Sequence, residues 1–146
     1  MRQPKTDIPG LVVNNQVAFM PADIDTRYGR DNLPDHGDLL ANLVRWAAGD
    51  SIPLEVLGPG LLDCNVYTQP GRIIIHIVNL SNTGRMPIEE YLPVGPLTIR
   101  LKLPKDVSPR QLRFAVSGIT VVPKVEKGWA AFQLNSVSDH ELVILE

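Results

Sequence analysis

The sequence predicts a mainly β protein: an antiparallel β-sandwich preceded by an N-terminal hairpin and helix segment, α+β overall. Three observations predict it. From Ser51 onward, short β-branched and aliphatic runs recur between turn residues, the pattern of strands rather than helices. Thirteen prolines and eleven glycines are spread along 146 residues, which punctuates the chain into many short elements. A 3.6-residue apolar period is sustained once only, between His36 and Ala48, where it marks an amphipathic helix.

The elements follow in order. The opening, with Pro4 and Pro9, is polar and irregular. Leu11–Val13 and Gln16–Met20 are short β-prone runs around Asn14-Asn15; Asn tolerates the left-handed backbone of a tight turn. After Pro21 comes a polar stretch rich in Asp, with Arg27 and Arg30 between the carboxylates. It reads as a loop. The helix follows, with Asp35 as its expected N-cap, Leu39, Leu40, Leu43, Val44, Trp46 and Ala47 as its apolar positions, and Gly49 as the residue that ends it.

Beyond it, strands are expected near Leu54–Leu57, Leu62–Thr68, Arg72–Leu80, Leu97–Leu103, Gln111–Ser117, Thr120–Pro123, Trp129–Leu134 and Glu141–Leu145. Gln69-Pro70-Gly71 and Lys127-Gly128 read as turns. Leu97, Ile99, Leu101 and Leu103 alternate with polar residues, so that strand buries one face. Ile73 to Val78 is apolar on both faces and reads as a central strand, with His76 an inward histidine held by a hydrogen bond. About eight strands at spacings near ten residues suggest a sandwich. Residues 1–50 carry five Lys/Arg against seven Asp, and the remainder carries nine of each sign. The boundary near Asp50 predicts two pieces, 1–50 and 51–146.

Composition excludes several classes. With 44% apolar residues and a net charge of −2, the chain is not disordered and offers no cationic surplus for nucleic acid. No apolar run is long enough to span a membrane as a helix, and the first ten residues lack a secretory h-region, so the chain as written reads as cytoplasmic. One cysteine, Cys64, excludes an internal disulfide and a Cys-rich zinc site. It reads as an inert thiol packed in a strand.

Candidate chemistry is sparse. Asp23, Asp25, Asp31, Asp35, Asp38 and His36 fall within sixteen residues. A calcium loop fails, because Arg27 and Tyr28 take the fifth and sixth positions. Asp23, Asp25, Asp31 and His36 stay as candidate ligand or ion contacts, against the plainer reading of an ion-paired loop. No metal, cofactor or catalytic constellation is predicted. The three histidines lack metal-ligand spacing, no serine sits in a nucleophile elbow, and adjacent Glu89-Glu90 read as a solvated loop. Asn79-Leu80-Ser81 matches a glycosylation triplet, a pattern frequent by chance. Aromatics make up 5%, so a sugar-stacking platform could use only Tyr67 or Trp129 among few candidates.

The stretch VAFMPADIDTRYGRDNLPDHGDLLANLVRWAAGD resembles the end of the amidotransferase-like, flavodoxin-type domain of some glycoside hydrolases, the β-galactosidase trimerisation domain. Val17-Ala18-Phe19-Met20-Pro21 matches the family's last strand, and His36–Ala48 its final helix. GRIIIHIVNLS, Gly71 to Ser81, resembles the C-terminal β-sandwich that closes such enzymes. The resemblance implies a truncated relative: neither a (β/α)₈ barrel nor a whole amidotransferase-like domain fits before Val17, and no catalytic residue can be carried over. It implies a non-catalytic accessory or assembly module, with Leu39, Leu43 and Trp46 meeting the β domain, a second copy or a partner glycoside hydrolase. A carbohydrate-binding sandwich is the alternative. An independent small hydrolase using Asp23 or Asp25 is a third.

Overall fold

The computed structural model describes residues 7–49, 51–81 and 90–146. The first six residues, the boundary residue Asp50 and Glu89 lie outside the described residues; Glu90 is exposed. The chain divides into two compact units, Met1–Ile52 and Pro53–Glu146.

In the first unit, β1 (Val12–Asn14) pairs antiparallel with β2 (Val17–Phe19), with Asn14 opposite Val17. Asn15 takes the left-handed conformation, φ 52°, as an Asn at a tight turn can. The polar stretch expected as a loop contains a helix, α1 (Ile24–Asp31), closed by left-handed Asn32, whose N–H donates to the Tyr28 carbonyl at 2.9 Å. Its composition hid it: the apolar residues are too few to show a period. Arg27 and Asp31 stand 3.8 Å apart one turn along, a modest i,i+4 support.

The next helix, α2 (Pro34–Ala47), starts before the expected His36. Leu33, not Asp35, is its N-cap, and Pro34 occupies the first turn, where its missing N–H costs nothing. Asp35 lies in that first turn, where its charge suits the helix dipole. Gly49 ends the helix as expected, with φ 60° and its N–H on the Trp46 carbonyl at 3.0 Å. Gly37 is the contact point of the two helices, since a Cβ there would come within 2.7 Å of the Tyr28 ring.

The second unit is the expected sandwich. One sheet is β3 (Leu54–Leu57), β6 (Leu97–Lys102), β10 (Trp129–Leu134) and β9 (Lys124–Glu126), in that order. The other is β4 (Leu62–Gln69), β5 (Arg72–Asn79), β11 (His140–Leu145), β7 (Leu112–Phe114) and β8 (Thr120–Val121). Every pairing is antiparallel. Alternation decides which side chains face inward: Ile73, Ile75 and Ile77 from β5, Leu97, Ile99 and Leu101 from β6, and Val143 and Leu145 from β11 are buried in one core. Phe114 and Phe132 meet edge to face across it, 6.1 Å between centroids.

Three expectations fail in detail. The strand β9 was not anticipated, because three residues of Lys-Val-Glu carry no usable alternation. Strands near Gln111–Ser117 and Thr120–Pro123 are shorter than the apolar runs. His76 is exposed rather than inward: in an alternating strand whose odd positions face the core, position 76 falls outside. It meets Tyr67 edge-on instead, at 6.1 Å.

Two buried polar side chains tie the sandwich together. Asn79 is 1% exposed. Its Nδ2 donates to the carbonyls of Leu92 (2.8 Å) and Ser138 (2.7 Å), with that of Val137 at 3.2 Å, and its Oδ1 accepts from the Ser81 N–H. Ser81 Oγ in turn accepts from the Leu61 N–H at 2.8 Å. The Asn79-Leu80-Ser81 triplet is therefore a staple between loops, and its asparagine is closed to a glycan. Glu141, also buried, accepts from the backbone N–H groups of Val116, Ser117 and Leu142 at 2.8–3.1 Å. Both side chains are themselves buried, and backbone groups satisfy their polar atoms.

Candidate functional site

The outer face of the four-stranded sheet carries a depression that follows from strand register. Glu55 lies opposite Arg100, Arg100 opposite Ala131, and Ala131 opposite Lys124. One step along, Lys102 lies opposite Trp129 and Trp129 opposite Glu126. These positions share the solvent side, because Leu97, Ile99, Leu101, Ala130 and Phe132 occupy the inner one. Ala131 is the short side chain in its row, and longer neighbours stand around it. The result is a cavity of about 480 Å³ lined by Arg100, Lys124, Glu126, Lys127, Trp129 and Ala131, within the size range of small-ligand sites.

The wall and rim have distinct chemistry. The Arg100 guanidinium lies 4.9 Å from the Trp129 ring centroid, a cation–π contact. Arg100 also donates to Glu55 at 2.7 Å, so it is held from two sides. Lys124 and Glu126 form a looser exposed pair at 3.6 Å. Lys127 is in no ion pair among the described residues. It sits in a two-residue turn with Gly128, between paired Glu126 and Trp129, with φ values of 50° and 78°. A turn with both central residues left-handed favours Asn-Gly. A lysine there costs about 1 kcal/mol more than glycine would, and it sets an ammonium at the rim.

Trp129, one of the two aromatics proposed for sugar stacking, is thus half-exposed beside a cavity. The other, Tyr67, is exposed on the opposite sheet beside His76.

The first unit offers a different surface. No described residue in it is buried. Val17, Phe19 and Met20 from the hairpin region and Leu40, Leu43, Val44 and Ala47 from α2 line an apolar groove of about 580 Å³, with Asp25 at its margin. Of the three expected interface residues, Leu43 lines this groove, whereas Leu39 and Trp46 are exposed and lie outside its lining. The acidic candidates divide as well. Asp31 pairs with Arg27, Asp25 borders the groove, and Asp23 precedes α1 without a side-chain capping bond. His36 is half-buried, its Nδ1 without a hydrogen-bond partner among the described residues. Among the described residues, no three His, Cys, Asp or Glu side chains gather as metal ligands.

Elsewhere, Cys64 is half-buried against the core. Burial first, and the Asp63 charge second, push its thiol pKa up. Asp139 accepts from the His140 backbone N–H at 2.8 Å and meets His140 Nδ1 at 3.1 Å. Those contacts lower its carboxyl pKa. Sequence reasoning reached Trp129 but missed Arg100, Lys124, Lys127 and Ala131. Only cross-strand register brings residues about 30 positions apart into one row.

No protein-family profile matches this chain, and no curated protein does. Among solved structures, the chain is similar to α-L-fucosidase isoenzyme 2 from Paenibacillus thiaminolyticus, with a TM-score of 0.77 at 21% identity. The likeness covers 94% of this chain and 22% of the fucosidase. At that identity it establishes a shared fold.

Proposed function

We propose that this chain is a non-catalytic accessory and assembly module related to the C-terminus of a glycoside hydrolase. Its first unit corresponds to the tail of an amidotransferase-like domain and its second to a closing β-sandwich. The observation that carries the reading is the first unit's apolar groove, in a unit where none of the described residues is buried. Apolar side chains left open at that density are kept where a partner covers them. Likeness to a stretch that makes up 22% of a fucosidase chain supports a relation to one part of a glycoside hydrolase. The partner is a second copy or the catalytic part of a glycoside hydrolase, and the mechanism is packing.

Light scattering and sedimentation velocity over a wide concentration range test this. Association that rises with concentration, or a stable complex with the catalytic part, is expected. A strict monomer whose Leu39, Leu43 and Trp46 side chains are mobile by NMR would sink the assembly role. Hydrolysis of a nitrophenyl α-L-fucoside that disappears with Asp23→Asn or Asp25→Asn would overturn the non-catalytic one.

One observation favours a second reading, a carbohydrate-binding sandwich. Trp129 borders a cavity of about 480 Å³, an arrangement that suits the apolar face of a sugar ring. Saturable affinity for oligosaccharides, lost on filling that cavity, is the expected result.

A further inference from the structure

We propose that the depression over Ala131 is a binding subsite for a pyranoside bearing an anionic group, a carboxylate or a sulfate. The proposal rests on the carbohydrate-binding reading of the same face and adds the charge of the ligand.

Three features combine. The first is shape: Ala131 is the short residue between Arg100 and Lys124 in one cross-strand row, which leaves room for a ring above it. The second is the wall. Trp129 lines the cavity, and the Arg100 guanidinium lies over its ring, 4.9 Å from the centroid, so an aromatic side chain and a cation border the depression together. The C–H face of a pyranose is weakly positive and suits an aromatic face, while its substituents reach the rim. The third is charge. Arg100, Lys124 and Lys127 line the cavity with Glu126, and Glu55 pairs with Arg100 beside it, so Lys127 is the cation in excess there, in a chain whose net charge is −2. Cationic character concentrated at one depression of an acidic protein is a local feature, and it attracts anions there by field focusing.

Lys127 is the decisive residue. Arg100 is held by Glu55 at 2.7 Å and Lys124 is near Glu126 at 3.6 Å. Lys127 has no ion pair among the described residues and occupies a turn position that disfavours it, φ 50°. Strain held at a residue beside a cavity points to a role for that side chain. An incoming carboxylate or sulfate pairs with the Lys127 ammonium and takes the outward N–H groups of Arg100, whose guanidinium suits such oxygens.

The test is calorimetric titration of the full chain with four probes: trigalacturonate, its fully methyl-esterified form, a sulfated trigalactoside and the unsulfated parent. At least one anionic probe should bind roughly tenfold tighter than its uncharged counterpart, and its affinity should fall as salt is raised. The two pairs separate carboxylate from sulfate recognition. Lys127→Glu should weaken the anionic probe roughly tenfold or more and leave the uncharged one unchanged. Ala131→Leu, which fills the depression without touching the core face, should abolish binding while the far-ultraviolet spectrum is retained. Equal binding of charged and uncharged probes overturns the anionic preference and leaves the carbohydrate reading standing. No binding of any probe overturns both. Tight anionic binding that survives Ala131→Leu overturns the location.

Discussion

The two units of this chain solve the problem of apolar surface in opposite ways. The second unit buries it: Ile75, Ile77, Leu97, Ile99, Val143 and Leu145 are each fully enclosed between two sheets. The first unit displays it: Val17, Phe19 and Val44 are all more than 60% exposed. The difference follows from architecture. Two facing sheets enclose a layer of side chains on both sides. A hairpin of three-residue strands and two helices encloses nothing, since a lone hairpin has little stability of its own. The second unit encloses a core, and among the described residues of the first unit none is buried.

The strongest way to break this comparison is to cut the same number of methyl groups from each unit. Ile75→Ala should cost about 2–5 kcal/mol, through lost burial and a residual cavity. Leu43→Ala should cost less than about 1 kcal/mol in the isolated chain. Denaturant unfolding of both variants measures the contrast. A large cost for Leu43→Ala in a monomer would mean that the first unit has a core of its own. A cost that appears only at high protein concentration would sharpen the assembly reading.

Next in size is Asn79→Ala, which removes the donor of the Leu92, Val137 and Ser138 carbonyls, the Val137 bond being buried and the other two partly so. Unsatisfied buried groups put the loss at about 2–4 kcal/mol. Asn79→Asp keeps the shape and the acceptor but removes the donor, so it should lose nearly as much. If Asn79→Asp behaves like the parent in denaturant, the staple is shape rather than hydrogen bonding.

A smaller effect of opposite sign is expected at the cavity rim. Lys127→Asn should stabilise the second unit by about 0.5–1 kcal/mol, because Asn tolerates the left-handed turn position better. The same variant should lose affinity for anionic saccharides. Thermal melting and titration on one sample check both. Destabilisation would show that the lysine contributes to packing.

The smallest effect concerns Cys64. Burial holds its thiol protonated above the ordinary cysteine range, so iodoacetamide should modify it more slowly than free cysteine at pH 8. The sign of the linkage follows: a pKa raised by folding contributes nothing adverse below the unfolded value, and the folded state loses stability as pH rises through and beyond that value. Alkylation as fast as free cysteine would show that the strand opens at that end.

The extent of legibility differs between the units for the same reason. In the second unit, alternation at Leu97, Ile99 and Leu101 sufficed to assign the buried face, because the period of a strand is two and one core enforces it. In the first unit, α1 (IDTRYGRD) holds too few apolar residues to show a period, whereas α2, equally without a buried residue, repeats them over three turns. His76 has apolar neighbours in sequence, Ile75 and Ile77, but does not share their buried face. The phase of the strand sets it outward.

By itself, the sequence determined the fold class, most of the strands, the helix-ending Gly49 and the division of character near residue 50. These are local properties, set by backbone propensity and the periodicity of side chains along one element. Only the tertiary structure decided the cavity beside Trp129 and the roles of Asn79 and Glu141. Arg100, Ala131 and Lys124 become neighbours through the register of three strands, and Asn79 finds its carbonyl partners in loops far along the chain. Such juxtapositions depend on which strands pair and in what phase, and no short stretch of sequence carries that information.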